Sequence, residues 1–120
     1  MEKRKFDLEE RLIEFSVFTI GITEEMFNTR AGNHIAGQLV RSCTSPALHY
    51  GEAQSAESNK DFVHKLKLLL KELRESLASL KITKRLPLTQ NIDMVEKAMS
   101  ECNELISIFV TSIKTAQRKK

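Results

Sequence analysis

The sequence predicts an all-α fold, an antiparallel up-down-up-down four-helix bundle, and three observations predict it. Apolar residues recur at helical spacing over four separate segments. Turn-forming residues interrupt that pattern at three places. Only two prolines and four glycines occur in 120 residues, which leaves long stretches free to stay helical. Residues 1–120 are expected to form one domain, because a chain of this length has little to spare for a second core.

The first helix is expected over about residues 7–27, with Leu8, Leu12, Phe15, Thr19, Ile22 and Met26 facing inward. Val17, Phe18 and Ile20 lie off that stripe, and a second apolar face on a surface helix points to burial against another subunit. "NTRAGN", residues 28–33, reads as the first turn. The second helix, about 33–56, carries Ile35, Leu39, Ser42 or Cys43, Pro46 and Tyr50 at helical period. Small residues (Ala36, Gly37, Ala47, Gly51, Ala53) surround them and allow close packing. Pro46 removes a backbone donor and is expected to kink or briefly interrupt this helix. Ser58, with Asp61 three residues later, forms a capping box that starts the third helix, about 59–84. Its stripe is Phe62, Leu66, Leu69, Leu73, Leu77 and Leu80, widened by Val63 and Leu70. Pro87 ends it, Thr89 or Asn91 caps the fourth, about 90–117, and Ile92, Val95, Met99, Cys102, Ile106, Phe109 and Ile113 form its seam.

Composition excludes several classes. No apolar run reaches the eighteen or so residues of a membrane span, and "MEKRKFDLEERL" turns acidic before any apolar stretch, unlike a secretory leader. A cytoplasmic location with reduced thiols is therefore expected, Cys43 and Cys102 serving as small buried hydrophobes. The formal charge is +3, but its distribution is uneven. Residues 6–28 hold six acids against Arg11, a net of −5, whereas residues 60–86 hold eight bases against three acids, a net of +5. Opposite charges on different helices can guide pairing within or between subunits.

"QLVRSCTS", residues 38–45, followed by "GEAQSAESNKDFVHKLKLLLKELRES", residues 51–76, resembles the 23S ribosomal RNA intervening-sequence protein family. The family pattern reads Q-L-x-R-S-x-T-S, then E-A-Q, S-x-x-D-F-x-H-K and L-K-E-x-x-E, and "ECNELISIFVTSIKT" at 101–115 also fits. This chain departs at His49, where the family usually has asparagine, and at Pro46. The resemblance implies an antiparallel four-helix bundle assembled as a homopentamer, with no established enzymatic activity. A distant relative, the accessory protein of diversity-generating retroelements, binds nucleic acid.

Catalytic and metal sites find little support. His34, His49 and His64 are fifteen residues apart, with no Glu-x-x-His pair, so neither a metal nor another cofactor is expected. Cys43 and His49 fall on nearly opposite helix faces, and no phosphate loop or nucleophile elbow accompanies the carboxylates. No small-molecule substrate and no membrane partner are evident. Arg41, Glu52, Lys65, Glu72 and Glu75, with the capping residues Ser58 and Asp61, are read as structural or interface polar groups. Salt bridges are expected among Arg41, Glu52, Lys65 and Glu72, because a buried charge needs a partner. The main functional candidate is a basic stripe of Lys60, Lys67, Lys71, Arg74, Lys81 and Arg85, spaced 7, 4, 3, 7 and 4 along one side of the third helix. The tail adds Lys114, Arg118, Lys119 and Lys120. Such a row can track phosphates of RNA or DNA. One tyrosine and no tryptophan argue against base stacking. The alternative is a protein-protein scaffold whose charges serve assembly.

Overall fold

A computed structural model describes residues 7–119, so Lys120 of the basic tail lies outside the described residues. Those residues form four helices: α1 (Leu8–Glu24), α2 (Arg30–Gln54), α3 (Asn59–Arg85) and α4 (Ile92–Arg118). Among the described residues there is no strand. The elements pack in a closed cycle, each helix beside the next and α1 beside α4. Cross-helix contacts fix the direction of each pair. Arg41 of α2 meets Glu72 and Glu75 of α3, while Glu52, later on α2, meets Lys65, earlier on α3. Asn59 at the start of α3 donates to the Ala116 carbonyl at the end of α4, 2.9 Å away. Neighbours therefore run antiparallel in an up-down-up-down bundle measuring 49 × 31 × 19 Å.

The core is a layered set of aliphatic side chains. Leu12, Phe15 and Ile22 come from α1, Leu39, Cys43 and Ala53 from α2, Leu66, Leu69, Leu73 and Leu80 from α3. From α4 come Val95, Ala98, Cys102, Leu105, Phe109 and Ile113. Each large aliphatic or aromatic side chain removed from water contributes about 1.5–3 kcal/mol, so helix formation and core burial reinforce each other. The α4 seam sits slightly to one side of its expected position. Met99 and Ile106 are half-buried, and Ala98 and Leu105 take the central places instead. Both sets lie within the same wide apolar stripe, and the placing of α1 and α3 decides which is innermost.

Helix ends follow the local chemistry. α3 begins where the Ser58 hydroxyl accepts the Asp61 N–H at 3.0 Å. Two boundaries differ from expectation by three residues. α1 stops at Glu24 rather than near Phe27, because the Phe27 N–H is drawn away to the Leu88 carbonyl at 2.8 Å. α2 starts at Arg30 rather than Asn33, because the Thr29 hydroxyl caps it by accepting the Gly32 N–H at 2.9 Å. Gly32 is needed there: a Cβ would stand 2.1 Å from the Phe27 carbonyl oxygen. α2 continues without interruption through Pro46, which is itself buried. Its packed surroundings hold the helix across the missing backbone donor.

Hydroxyl and thiol groups inside the bundle link helices. The Ser16 hydroxyl donates to the Cys43 carbonyl at 2.6 Å, joining α1 to α2. Ser76 of α3 donates to Ser42 of α2 at 2.9 Å, with both residues buried. The Cys102 thiol of α4 donates to the Leu73 carbonyl of α3 at 3.2 Å. Among the described residues, only the Thr19 hydroxyl is a buried side-chain polar atom without a partner.

Candidate nucleic-acid interface

All six cations of the α3 stripe, Lys60, Lys67, Lys71, Arg74, Lys81 and Arg85, are exposed. Residues seven or eleven apart return to nearly the same helical azimuth, so the row stays on one side for its full length. Its side chains arise over about 38 Å of axis, at 1.5 Å per residue. Among the described residues, none of the six forms an ion pair within the chain. Shallow grooves run along the row. One of 470 Å³ is lined by Lys67, Leu70, Lys71, Arg74, Glu75 and Ala78, and another of 300 Å³ continues past Lys81, Ile82 and Arg85 to Leu86.

The acids of α3 are engaged elsewhere. Arg41 reaches from α2 to Glu72 at 3.1 Å and Glu75 at 2.6 Å. Its hydrogen bond holds the Glu75 carboxyl below the ordinary carboxylate range, and the same contacts hold the Arg41 guanidinium above its usual value. Asp61 sits in the first turn of α3, where a negative charge complements the helix dipole. Glu52 lies 3.3 Å from both the His49 ring and the Lys65 ammonium. The hydrogen bond to His49, then that to Lys65, lowers its pKa. Arg41, Glu52, Lys65, Glu72 and Glu75 thus form two α2–α3 ion-pair groups at the edge of the basic face. Two further links escaped the sequence reading. Lys84 pairs with Glu96 at 2.8 Å, tying α3 to α4. Arg11 grips Glu101 at 2.7 Å and Glu104 at 2.6 Å, tying α1 to α4. Their partners lie 12, 90 and 93 residues apart, and helical periodicity carries no signal for pairing at such separations.

Other groups offer less chemistry. Burial pushes the Cys43 and Cys102 thiols up to about 12, so both stay protonated at neutral pH and neither is an activated nucleophile. Tyr50 packs edge-on against Phe109, ring centroids 6.0 Å apart, and burial raises its pKa. Among the described residues, no three His, Cys, Asp or Glu side chains gather as metal ligands do, and no helix is long and apolar enough to cross a membrane.

A second surface differs from the basic one. On α2, Gly37, Val40, Thr44, Leu48 and Gly51 follow spacings of 3, 4, 4 and 3 along the flank beside α1, without a charge among them. Leu48 is 67% exposed, and Val17 on the adjoining flank of α1 is 62% exposed. A Cβ added to Gly21, Gly37 or Gly51 would meet nothing within 4 Å.

No family model matches the chain, and no curated protein does. A solved structure similar to it is a protein with unknown function from the S23 ribosomal protein family of Bacteroides thetaiotaomicron. The two share 25% sequence identity at a TM-score of 0.80, over 88% of this chain and 97% of the other. That family is related to the intervening-sequence family but is not the same one. The chain is therefore similar in fold, over 88% of its length, to a protein whose own function is unknown.

Proposed function

We propose that this protein is a non-enzymatic, oligomeric four-helix bundle of the 23S ribosomal RNA intervening-sequence family that binds RNA or DNA through the basic face of α3. One observation carries the reading: six exposed cations stand in a row without an ion-pair partner among the described residues, while the neighbouring acids Glu72 and Glu75 are held by Arg41. A positive field that the described residues leave uncompensated favours a polyanion, and the released counterions drive binding. Such binding is electrostatic, salt-sensitive and weakly sequence-specific. A cytoplasmic protein of this kind meets both nucleic acids.

The flank of α1 and α2 supports assembly with further copies. Val17 and Leu48 stand in water beside Gly21, Gly37 and Gly51. Helical glycine costs about 1 kcal/mol relative to alanine, and no contact within the subunit requires these three. A close-packed second copy gives them a purpose. The family resemblance implies five copies, which would multiply the basic field. If assembly is the whole role, the acids of α1 in one copy neutralise the α3 row of the next, and the protein is a scaffold.

Light scattering after size exclusion measures the subunit number, and RNA titrations at about 50 and 200 mM salt follow on the same sample. The expected result is an oligomer whose affinity falls with salt and is lost when Lys67, Lys71 and Arg74 become glutamine. An oligomer indifferent to RNA at both salts overturns the nucleic-acid reading and leaves the scaffold. A monomer overturns the assembly.

A further inference from the structure

The basic row is interrupted at two seven-residue steps, Lys60 to Lys67 and Arg74 to Lys81, and the second parts two clusters of cations. Lys67, Lys71 and Arg74 form one cluster, Lys81 and Arg85 another, and between them the outward position belongs to Ala78, which is exposed. At 1.5 Å per residue the cluster centres are about 18 Å apart along the axis. A single strand laid along α3 presents phosphates without such a gap and is usually held by aromatic side chains on which bases stack. Among the described residues the outer face of α3 has no Phe, Tyr or Trp, Phe62 being half-buried against the core, and its one exposed ring is the imidazole of His64, before Lys67 and outside the gap at Ala78. A double helix fits differently. Its backbones flank a groove, and a groove about 12 Å wide sets the phosphates on its two sides roughly 18 Å apart once their own size is added. In A-form RNA the wide, shallow groove is the minor one, recognised by shape and backbone.

We infer that α3 lies across the wide groove of a double helix, its two cation clusters holding phosphates of opposite strands while Ala78 spans the opening. This rests on the nucleic-acid reading above and narrows it to a duplex. The small, uncharged side chain at 78 lets the helix approach where no phosphate stands. Glu75, at the edge of the gap, is kept from repelling either strand by its bond to Arg41, 2.6 Å away.

Fluorescence anisotropy with labelled 20-base-pair RNA and DNA duplexes, and with unstructured uridine and thymidine 20-mers, tests this at about 50 and 200 mM salt. One or both duplexes should bind at least roughly tenfold tighter than the single strands. Preference for RNA assigns the minor groove, and preference for DNA the major. Replacing Lys67, Lys71 and Arg74, or separately Lys81 and Arg85, by glutamine should weaken the duplex in each case. The second change should flatten the salt slope by about two, one for each lost phosphate contact. Ala78→Lys should raise single-strand affinity more than duplex affinity, because it fills a gap that only the duplex leaves empty. Circular dichroism confirms that these surface variants are folded. Single strands binding as tightly as duplexes overturn the inference while sparing nucleic-acid binding. Duplex affinity that depends on one cluster alone overturns the two-strand arrangement. Binding of no probe at 50 mM salt overturns the nucleic-acid reading itself.

Discussion

Replacing Gly21, Gly37 and Gly51 together by alanine sets two effects against each other. Within one subunit all three methyl groups enter open space, with nothing inside 4 Å. Each change then recovers about 0.5–1 kcal/mol of backbone entropy, or roughly 2 kcal/mol for the three. With an unfolding entropy near 2.1 cal/mol/K per residue, a chain of 120 residues should gain about 8 °C in Tm. If the α1–α2 flank is covered by another copy, the methyl groups instead push apart two closely approaching surfaces, and overpacking costs about 1–3 kcal/mol. The measurement is thermal unfolding by circular dichroism over a hundredfold concentration range, with light scattering for mass. Wild-type Tm should rise with concentration, as it does wherever association stabilises the folded state. The triple variant should lose that dependence, have the lower mass, and unfold later than wild type only at the lowest concentration. A variant with unchanged mass and a higher Tm at every concentration would refute the close approach at these glycines.

Three further outcomes follow from the interior. Ser42→Ala or Ser76→Ala alone should cost about 1–3 kcal/mol, because each leaves a buried hydroxyl without its 2.9 Å partner. The double variant should cost less than the sum, as urea unfolding in a double-mutant cycle would show. Gly32→Ala should destabilise by about 1–3 kcal/mol, opposite in sign to the surface glycines, since its Cβ meets the Phe27 carbonyl at 2.1 Å; chemical denaturation midpoints compare the two directly. The thiols make stability fall with alkali. Cys43 and Cys102 bind their protons more tightly folded, near 12, than unfolded, near 9. Stability is thus full below pH 9 and is lost as pH rises toward 12. At pH 10 the loss is roughly 1.4 kcal/mol per thiol. Denaturation midpoints at pH 7 and 10, with thiolate absorbance, check the sign; native thiolate appearing near pH 9 would contradict the burial argument.

The sequence revealed the four helices because each carries its own apolar period, and that signal is local. Leu66, Leu69, Leu73 and Leu80 could be placed inward without knowing their neighbours. Ser58 and Asp61 marked the start of α3 for the same reason. Where the answer depended on a distant partner, the reading slipped. Met26 and Phe27 continue the α1 pattern, yet the Leu88 carbonyl takes the Phe27 amide and ends the helix. Thr29 looked like part of a turn because its cap shows only through Gly32. Ala98 and Leu105 displaced Met99 and Ile106 from the centre of α4 because periodicity defines a stripe, whereas the adjoining helices define its midline. Ser76 and Thr83 are buried polar residues that pattern alone left without a role, and Ser42 had its inward place only as an alternative to Cys43. The basic row was visible as a spacing. Its break at Ala78 is part of that spacing, whereas the engagement of Glu75 by Arg41 needed three dimensions.

The three connections are fastened unequally. The α1–α2 and α3–α4 turns lie at one end and are stitched together: the Phe27 N–H reaches Leu88, Thr89 donates to the Glu25 carbonyl, and Asn91 bonds the Glu25 side chain. At the other end, Ser55 and Ala56 bond only to Glu52 and Ala53, one turn earlier in the same helix. Extra residues after Ala56 would fall before the Ser58 cap and the Asn59 bond to α4, leaving both in place, and closing a loop of twice the length costs only about 0.6 kcal/mol. An engineer seeking to graft a peptide, a label or a second domain onto this bundle would find the α2–α3 turn permissive, whereas the opposite end would resist such grafting.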